Sequence, residues 1–172
     1  MKLKGLSVFA NVGIAELLLW KLDAEILIAN ELIENRANFY KEIYPKTLMI
    51  CDDISKSEIK NKLIKESIKK KINFIIATPP CQGMSTAGKK NNHNDPRNLL
   101  ITHTIEIIKK IKPKFIFFEN VPGQHKTYIK IKKNKILIPK YLEKKLNNNY
   151  IFKKNRIFNM ERFGVPQKRK RS

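Results

Sequence analysis

Phe74-Ile75-Ile76-Ala77-Thr78-Pro79-Pro80-Cys81-Gln82-Gly83-Met84-Ser85 passes from an apolar tetrad through a rigid turn into a polar loop. The tetrad has the length and composition of a strand buried on both faces. Proline locks its own φ and drives the preceding residue toward extended backbone. Pro79-Pro80 therefore sets Cys81 on stiff chain at the carboxyl end of that strand. In an open α/β sheet, that end is where ligands bind. A thiol held there is placed to act as a nucleophile.

Outward from this strand, short apolar runs alternate with longer stretches at helical spacing. Residues 5–10, 25–30, 47–51, 73–77 and 114–118 read as strands. Residues 15–22 read as a helix with Leu17, Leu18 and Trp20 inward. Residues 33–43 form a second helix, stopped by Tyr44-Pro45. In 55–70, Ile59, Leu63 and Ile68 recur at helical spacing, with Ser55 or Ser57 as cap. Residues 98–111 form a helix ended by Lys112-Pro113. A polar loop covers 79–96, a very basic connection 126–135, a helix 139–146 and a sixth strand 150–158. Strands alternating with helices predict a parallel sheet covered on both faces. No internal repeat is visible, and Asn147-Asn148-Asn149 is a turn rather than a linker, so residues 1–172 are expected to form one domain.

The chain has 172 residues and a net charge of +21, from 36 Lys and Arg against 15 Asp and Glu. That balance favours a polyanionic partner. Abundant Lys, Ile and Asn are also what AT-rich codons specify, and charge alone does not separate DNA from RNA or an anionic membrane. The two cysteines, Cys51 and Cys81, form no CxxC pair, so no metal site is expected. His93, His103 and His125 are scattered and read as surface or loop residues. With no secretory signal and no run long enough to span a membrane, the expected home is a reducing cytoplasm with both thiols free.

Phe9-Ala10-Asn11-Val12-Gly13-Ile14-Ala15-Glu16 follows the first strand. A nucleotide-binding turn there needs residues that accept unusual φ, which Gly13 and Asn11 do. Glu31 ends the second strand, where an acid would accept from ribose hydroxyls or serve as a helix N-terminal carboxylate. Asp53, just past the third strand, would accept from an adenine amino group or cap the next helix. Glu119-Asn120-Val121 ends the fifth strand, a dry position that raises a carboxyl pKa. Protonated there, Glu119 would donate a hydrogen bond to a bound ligand; a salt bridge to a lysine is the alternative. In Gln167-Lys168-Arg169-Lys170-Arg171, extended backbone would point Arg169 and Arg171 to one face. Arginine suits bidentate contact with phosphate or a base oxygen.

In order and spacing these residues resemble the cytosine carbon-5 DNA methyltransferases. The matching stretches are Phe9-Ala10-Asn11-Val12-Gly13, Glu31, Asp53, Pro80-Cys81-Gln82, Glu119-Asn120-Val121 and Gln167-Lys168-Arg169-Lys170-Arg171. Asp95-Pro96-Arg97-Asn98 resembles the segment after the mobile catalytic loop. The resemblance spans nearly the whole chain. It implies a Rossmann-like fold, the cofactor S-adenosyl-L-methionine and a duplex DNA substrate in a restriction-modification setting. It further implies Cys81, Glu119, Arg169 and Arg171 as catalytic residues. Phe9, Ala10, Asn11, Gly13, Glu31, Leu32, Asp53, Ile54 and Pro80 would bind the cofactor, and Gln82, Ser85 and Arg97 would meet DNA. Asn11 and Ile14 stand where the family usually has glycine. The family also continues past the arginine motif with a core strand, a target-recognition domain and a C-terminal segment. The expectation is therefore a fold incomplete at its C-terminus, completed by a separate polypeptide. An RNA cytosine methyltransferase and a non-catalytic basic nucleic-acid-binding remnant are the alternatives.

Overall fold

Five apolar runs pair as one all-parallel sheet. The strands are β1 (Leu3–Val8), β2 (Ala24–Glu31), β3 (Leu48–Cys51), β4 (Phe74–Ala77) and β5 (Phe115–Phe118), in the order β3-β2-β1-β4-β5. The computed structural model describes residues 2–81, 84, 95–131, 133–152 and 157–172. They fall into two units, Met1–Pro79 with Thr102–Phe118, and Pro80–Ile101 with Glu119–Ser172.

The first unit holds the sheet. Its core is apolar by composition: Leu6, Val8, Ile28, Ala29, Ile75 and Ala77 are all buried. Three helices cross between strands: α1 (Glu34–Ile43), α2 (Ser57–Lys69) and α3 (Leu100–Ile111). Strand order runs outward from β1 to β3, then returns to β4 and β5. Right-handed crossovers therefore place α1 on one face and α2 and α3 on the other. The order reverses between β1 and β4, the switch point at which such sheets bind ligands. Tyr40 of α1 packs on Ala10 and Ala29.

Five sequence expectations are corrected in this unit. Residues 15–22 form two short 3-10 turns, Ile14–Glu16 and Leu19–Leu22, rather than one helix. Leu17, Leu18 and Trp20 do not face inward; they are 52%, 62% and 70% exposed, while Glu16 is 4% exposed. The physical reason lies at the turn's start, where the Tyr44 hydroxyl donates to the Gly13 carbonyl at 2.8 Å and fixes which residue follows into the core. In α2, Ile59 and Leu63 are buried but Ile68 is exposed, and Ser67 takes the inward place. Nine positions at 3.6 per turn carry Ile68 about 180° from Ile59. The N-cap of α2 is Lys56, without a side-chain cap bond, so neither Ser55 nor Ser57 caps it. β5 is not buried on both faces: Phe115 and Phe117 are exposed on alternate positions of an edge strand.

The second unit contains α4 (Ile138–Leu146) and two antiparallel ribbons, β6 (Tyr128–Ile131) with β7 (Asn134–Leu137), and β8 (Phe158–Asn159) with β9 (Lys170–Arg171). The 126–135 stretch is therefore a hairpin over its described residues, because Ile129 and Ile131 alternate with Tyr128 and Lys130. Of the expected 150–158 strand, residues 153–156 lie outside the described residues; Phe158 belongs to β8, which pairs with β9. No helix among the described residues is long and apolar enough to cross a membrane.

Candidate active site

In the first unit the turn after β1 is built from three left-handed residues: Phe9 at φ 62°, Asn11 at 52° and Gly13 at 81°. Such a run curls the chain and turns its amides outward from the strand. Glu31 holds it in place. Its carboxylate accepts from the Asn11 N–H at 2.8 Å and from the Ile33 N–H at 3.0 Å. Each oxygen keeps a lone pair for a further donor. The Thr78 hydroxyl donates to the Phe9 carbonyl at 3.0 Å, tying the end of β4 to the same turn. Gly13 is required from below: a Cβ there would strike the rings of Tyr44 and Tyr40.

The structure brings Phe9, Ala10, Asn11, Gly13 and Glu31 together, with Leu32 exposed beside them and Ile54 packed into the core. Asp53 adopts the capping alternative with one oxygen, accepting from the Ser55 N–H at 2.8 Å. Its second oxygen accepts no such bond among the described residues. Asn30 clamps the tip of β3 by donating to the carbonyls of Ile50 and Asp52, each at 2.9 Å. Ile14 points its bulk to solvent. A diol acceptor, a second carboxylate and a left-handed turn at the switch point fit an adenosine-containing cofactor such as S-adenosyl-L-methionine.

Glu16 is the residue that sequence reasoning passed over. Neither carboxyl oxygen completes a hydrogen bond among the described residues, and the buried Tyr40 hydroxyl is likewise unpartnered. Burial pushes the Glu16 carboxyl up to about 6, offset in part by the neighbouring Ser7 hydroxyl. Burial, and next the Glu16 charge, hold both the Tyr40 and Tyr44 phenols above their ordinary range. The only signal was an acid three positions past Gly13, in a stretch that otherwise reads as apolar.

The second unit carries the thiol and the acid. Cys81 is half-buried and free, with the Met84 N–H donating to its carbonyl at 2.9 Å. Pro80 belongs to this unit by chain position, and the other expected cofactor residues belong to the first. Asp95 is buried and grips Arg97 through both oxygens, at 2.9 Å from Nε and 2.6 Å from Nη2. That hydrogen bond to Asp95 holds Arg97 above its ordinary value, and the Cys81 sulfur adds the smallest share. Gln82 and Ser85 lie outside the described residues, as does His93. His103 sits on α3 in the first unit and not in a loop, with the Lys60 ammonium 3.4 Å from its Nδ1. No group of three or more His, Cys, Asp or Glu among the described residues could hold a metal.

Glu119 is met by the arginine motif. Asn120 and Ser172 exchange two backbone hydrogen bonds, each 2.9 Å. That pairing lays β9 beside Glu119-Asn120-Val121, and Arg171 Nε donates to Glu119 Oε1 at 2.7 Å. Burial raises the Glu119 carboxyl; the charges of Arg171 and Arg169 and the Arg171 hydrogen bond pull it back. Both arginines therefore act on one carboxylate. They also border a cleft of about 980 Å³, with Met84, Val121 and Gly123 on its wall.

A parallel sheet ordered 3-2-1-4-5 with a left-handed turn after β1 defines the Rossmann-like fold class, and Cys81 and Glu119 follow β4 and β5 along the chain. The family description "C-5 cytosine-specific DNA methylase" matches residues 3–172, and the chain belongs to that family. It is 41% identical over 172 residues to Type II methyltransferase M1.HgaI of Avibacterium volantium, covering 98% of this chain and 48% of that one. It is 28% identical over 171 residues to Type II methyltransferase M.XorII of Xanthomonas oryzae pv. oryzae, covering 97% and 38%. A solved DNA modification methyltransferase from an E. coli prophage superposes with a TM-score of 0.77 at 25% identity, over 99% of this chain and 45% of that one. The chain thus spans about half the length of these relatives.

Proposed function

We propose that this chain is the catalytic part of a DNA (cytosine-5-)-methyltransferase of a restriction-modification system, working in the cytoplasm, and that its two units act as one catalytic domain. The observation that carries the reading is Glu119, half-buried and clamped by Arg171 through the Asn120–Ser172 pairing. A carboxyl so placed would be positioned to share a proton with a pyrimidine ring nitrogen.

Glu31 and Asp53 would hold the adenosine of S-adenosyl-L-methionine, with Phe9, Ala10, Asn11 and Gly13 shaping the turn beneath it and Leu32, Ile54 and Pro80 bordering it. When bound, the cofactor supplies an electrophilic methyl group. The target cytosine is flipped from the duplex. The Cys81 thiolate adds to carbon 6 while Glu119 shares its proton with the ring nitrogen, so electron density gathers at carbon 5. Arg171 holds the Glu119 carboxyl in orientation and Arg169 supplies further positive charge. Once carbon 5 is substituted, its proton leaves and the ring electrons expel the Cys81 sulfur. Arg97, Gln82 and Ser85 would engage DNA.

Target recognition would come from a complementing segment on a separate polypeptide. The exposed apolar strip Leu17, Leu18, Trp20 and Leu22 is the surface that supports such a partner. The test is transfer of labelled methyl to mixed-sequence duplex DNA and to transfer RNA, with Cys81→Ser alongside. Cys81-dependent label in DNA is expected. Label confined to RNA would overturn the substrate assignment.

A further inference from the structure

Lysines crowd one stretch of the second unit. Residues 126–145 contain eight lysines and a single acid, Glu143. Their first part is the β6–β7 hairpin, whose register sets Lys130 directly opposite Lys135. Both are exposed, as is Lys133 at the turn, and none of the three has an ion-pair partner among the described residues. Like charges directly opposite each other weaken a ribbon, and a two-stranded ribbon has little stability to spare.

The hairpin keeps this arrangement because its other side is anchored. Ile129 and Thr127 are buried, the Thr127 hydroxyl donates to the Gly123 carbonyl at 2.9 Å, and the Ile138 N–H donates to the Thr127 carbonyl at 3.0 Å. The 3-10 turn Pro122–Lys126 joins this base directly to Glu119-Asn120-Val121. A fixed apolar face and an unbalanced cationic face, one short turn from the expected cytosine-binding acid, describe a surface completed by a polyanion.

We infer that the β6–β7 hairpin is a phosphate-binding arm that grips the DNA backbone beside the target cytosine; this rests on the DNA methyltransferase reading above. The exposed charges are lysines, which act on phosphate as point charges rather than reading base edges bidentately. The arm therefore contributes position and affinity without sequence preference.

The test measures binding of the full chain to a fluorescent 25-base-pair duplex of arbitrary sequence across a sodium chloride series. Each lysine engaged on phosphate contributes about 0.9 to the slope of log affinity against log salt. The variant Lys130→Gln/Lys133→Gln/Lys135→Gln is expected to lower that slope by about 2 to 3. Removing the same charge from exposed lysines of α2, as Lys62→Gln/Lys65→Gln/Lys69→Gln, should leave it nearly unchanged. Circular dichroism confirms that both variants fold. If the hairpin variant keeps the parental slope, or the α2 variant loses as much, the arm does not exist. A parent chain that binds no duplex at any salt also overturns it. Failure of the methyltransferase reading looks different: duplex binding with the hairpin-dependent slope, but no Cys81-dependent methyl transfer.

Discussion

Replacing Glu16 with glutamine tests the packing beneath the cofactor turn. The carboxyl is raised from its ordinary 4.5 to about 6, with burial as the main cause. A shift of one and a half units corresponds to about 2 kcal/mol. The folded value lies above the unfolded one, so the native state binds the proton more tightly. The contribution to stability is therefore full below the unfolded value, declines across the window between 4.5 and 6, and is lost above it. At pH 7.5 the protein keeps an unpaired charge in its core or loosens the Ile14–Glu16 turn to solvate it. Glu16→Gln has no proton to lose. Its stability relative to the parent should improve by about 1.6 kcal/mol between pH 4.5 and 7.5, or about 0.8 M in urea midpoint. The rest of the chain, with its net charge of +21, has its own pH dependence, which cancels in the comparison. Urea unfolding of both proteins at the two pH values measures this. A stability difference that does not change with pH would refute the buried, unpartnered carboxyl.

Cys81→Ser should reduce methyl transfer by about 10³-fold or more while leaving the urea midpoint in place, since the thiol is half-buried and its side chain has no hydrogen bond among the described residues. Glu31→Ala removes acceptors for two backbone amides and, on the proposed reading, for the ribose. It should lower stability by about 2 kcal/mol and S-adenosylhomocysteine affinity at least tenfold by calorimetry, roughly the value of one charged hydrogen bond. Gly13→Ala must adopt φ 81° and push aside the Tyr40 and Tyr44 rings, so it should cost about 2 kcal/mol or more by thermal melting. Arg171→Ala removes a charge and a hydrogen bond that hold Glu119 down. The carboxyl should titrate higher by carbon-13 NMR, with Arg171→Lys restoring part of the difference.

The parallel sheet was legible because its strands are continuous apolar runs, and the motif order told which loops follow which strands. β4 and β5 are indeed neighbours, with Ala77 opposite Phe118. Asn11 is left-handed as its residue type allows. Residues 15–22 misled because Leu17, Leu18 and Trp20 were counted as apolar without asking which partner would cover them. Their orientation depends on a tertiary hydrogen bond from Tyr44, thirty-one positions from Gly13, which no local pattern contains. Charge hid the hairpin: Tyr128-Ile129-Lys130-Ile131 alternates cleanly, but the lysines around it read as a solvated connection. The pairing of Glu119 with Arg171 was out of reach for another reason. Sequence placed both in one motif set, yet only the Asn120–Ser172 bonds bring them to 2.7 Å.

The central claim is cytosine carbon-5 chemistry at Cys81. Its most direct test incubates this chain with labelled S-adenosyl-L-methionine and duplex DNA, with and without the C-terminal half of M1.HgaI in trans, then digests the DNA to nucleosides. The account predicts labelled 5-methylcytosine that requires Cys81 and increases when the complement is present. Label on an exocyclic nitrogen, label undiminished in Cys81→Ser, or no 5-methylcytosine even with the complement would contradict it.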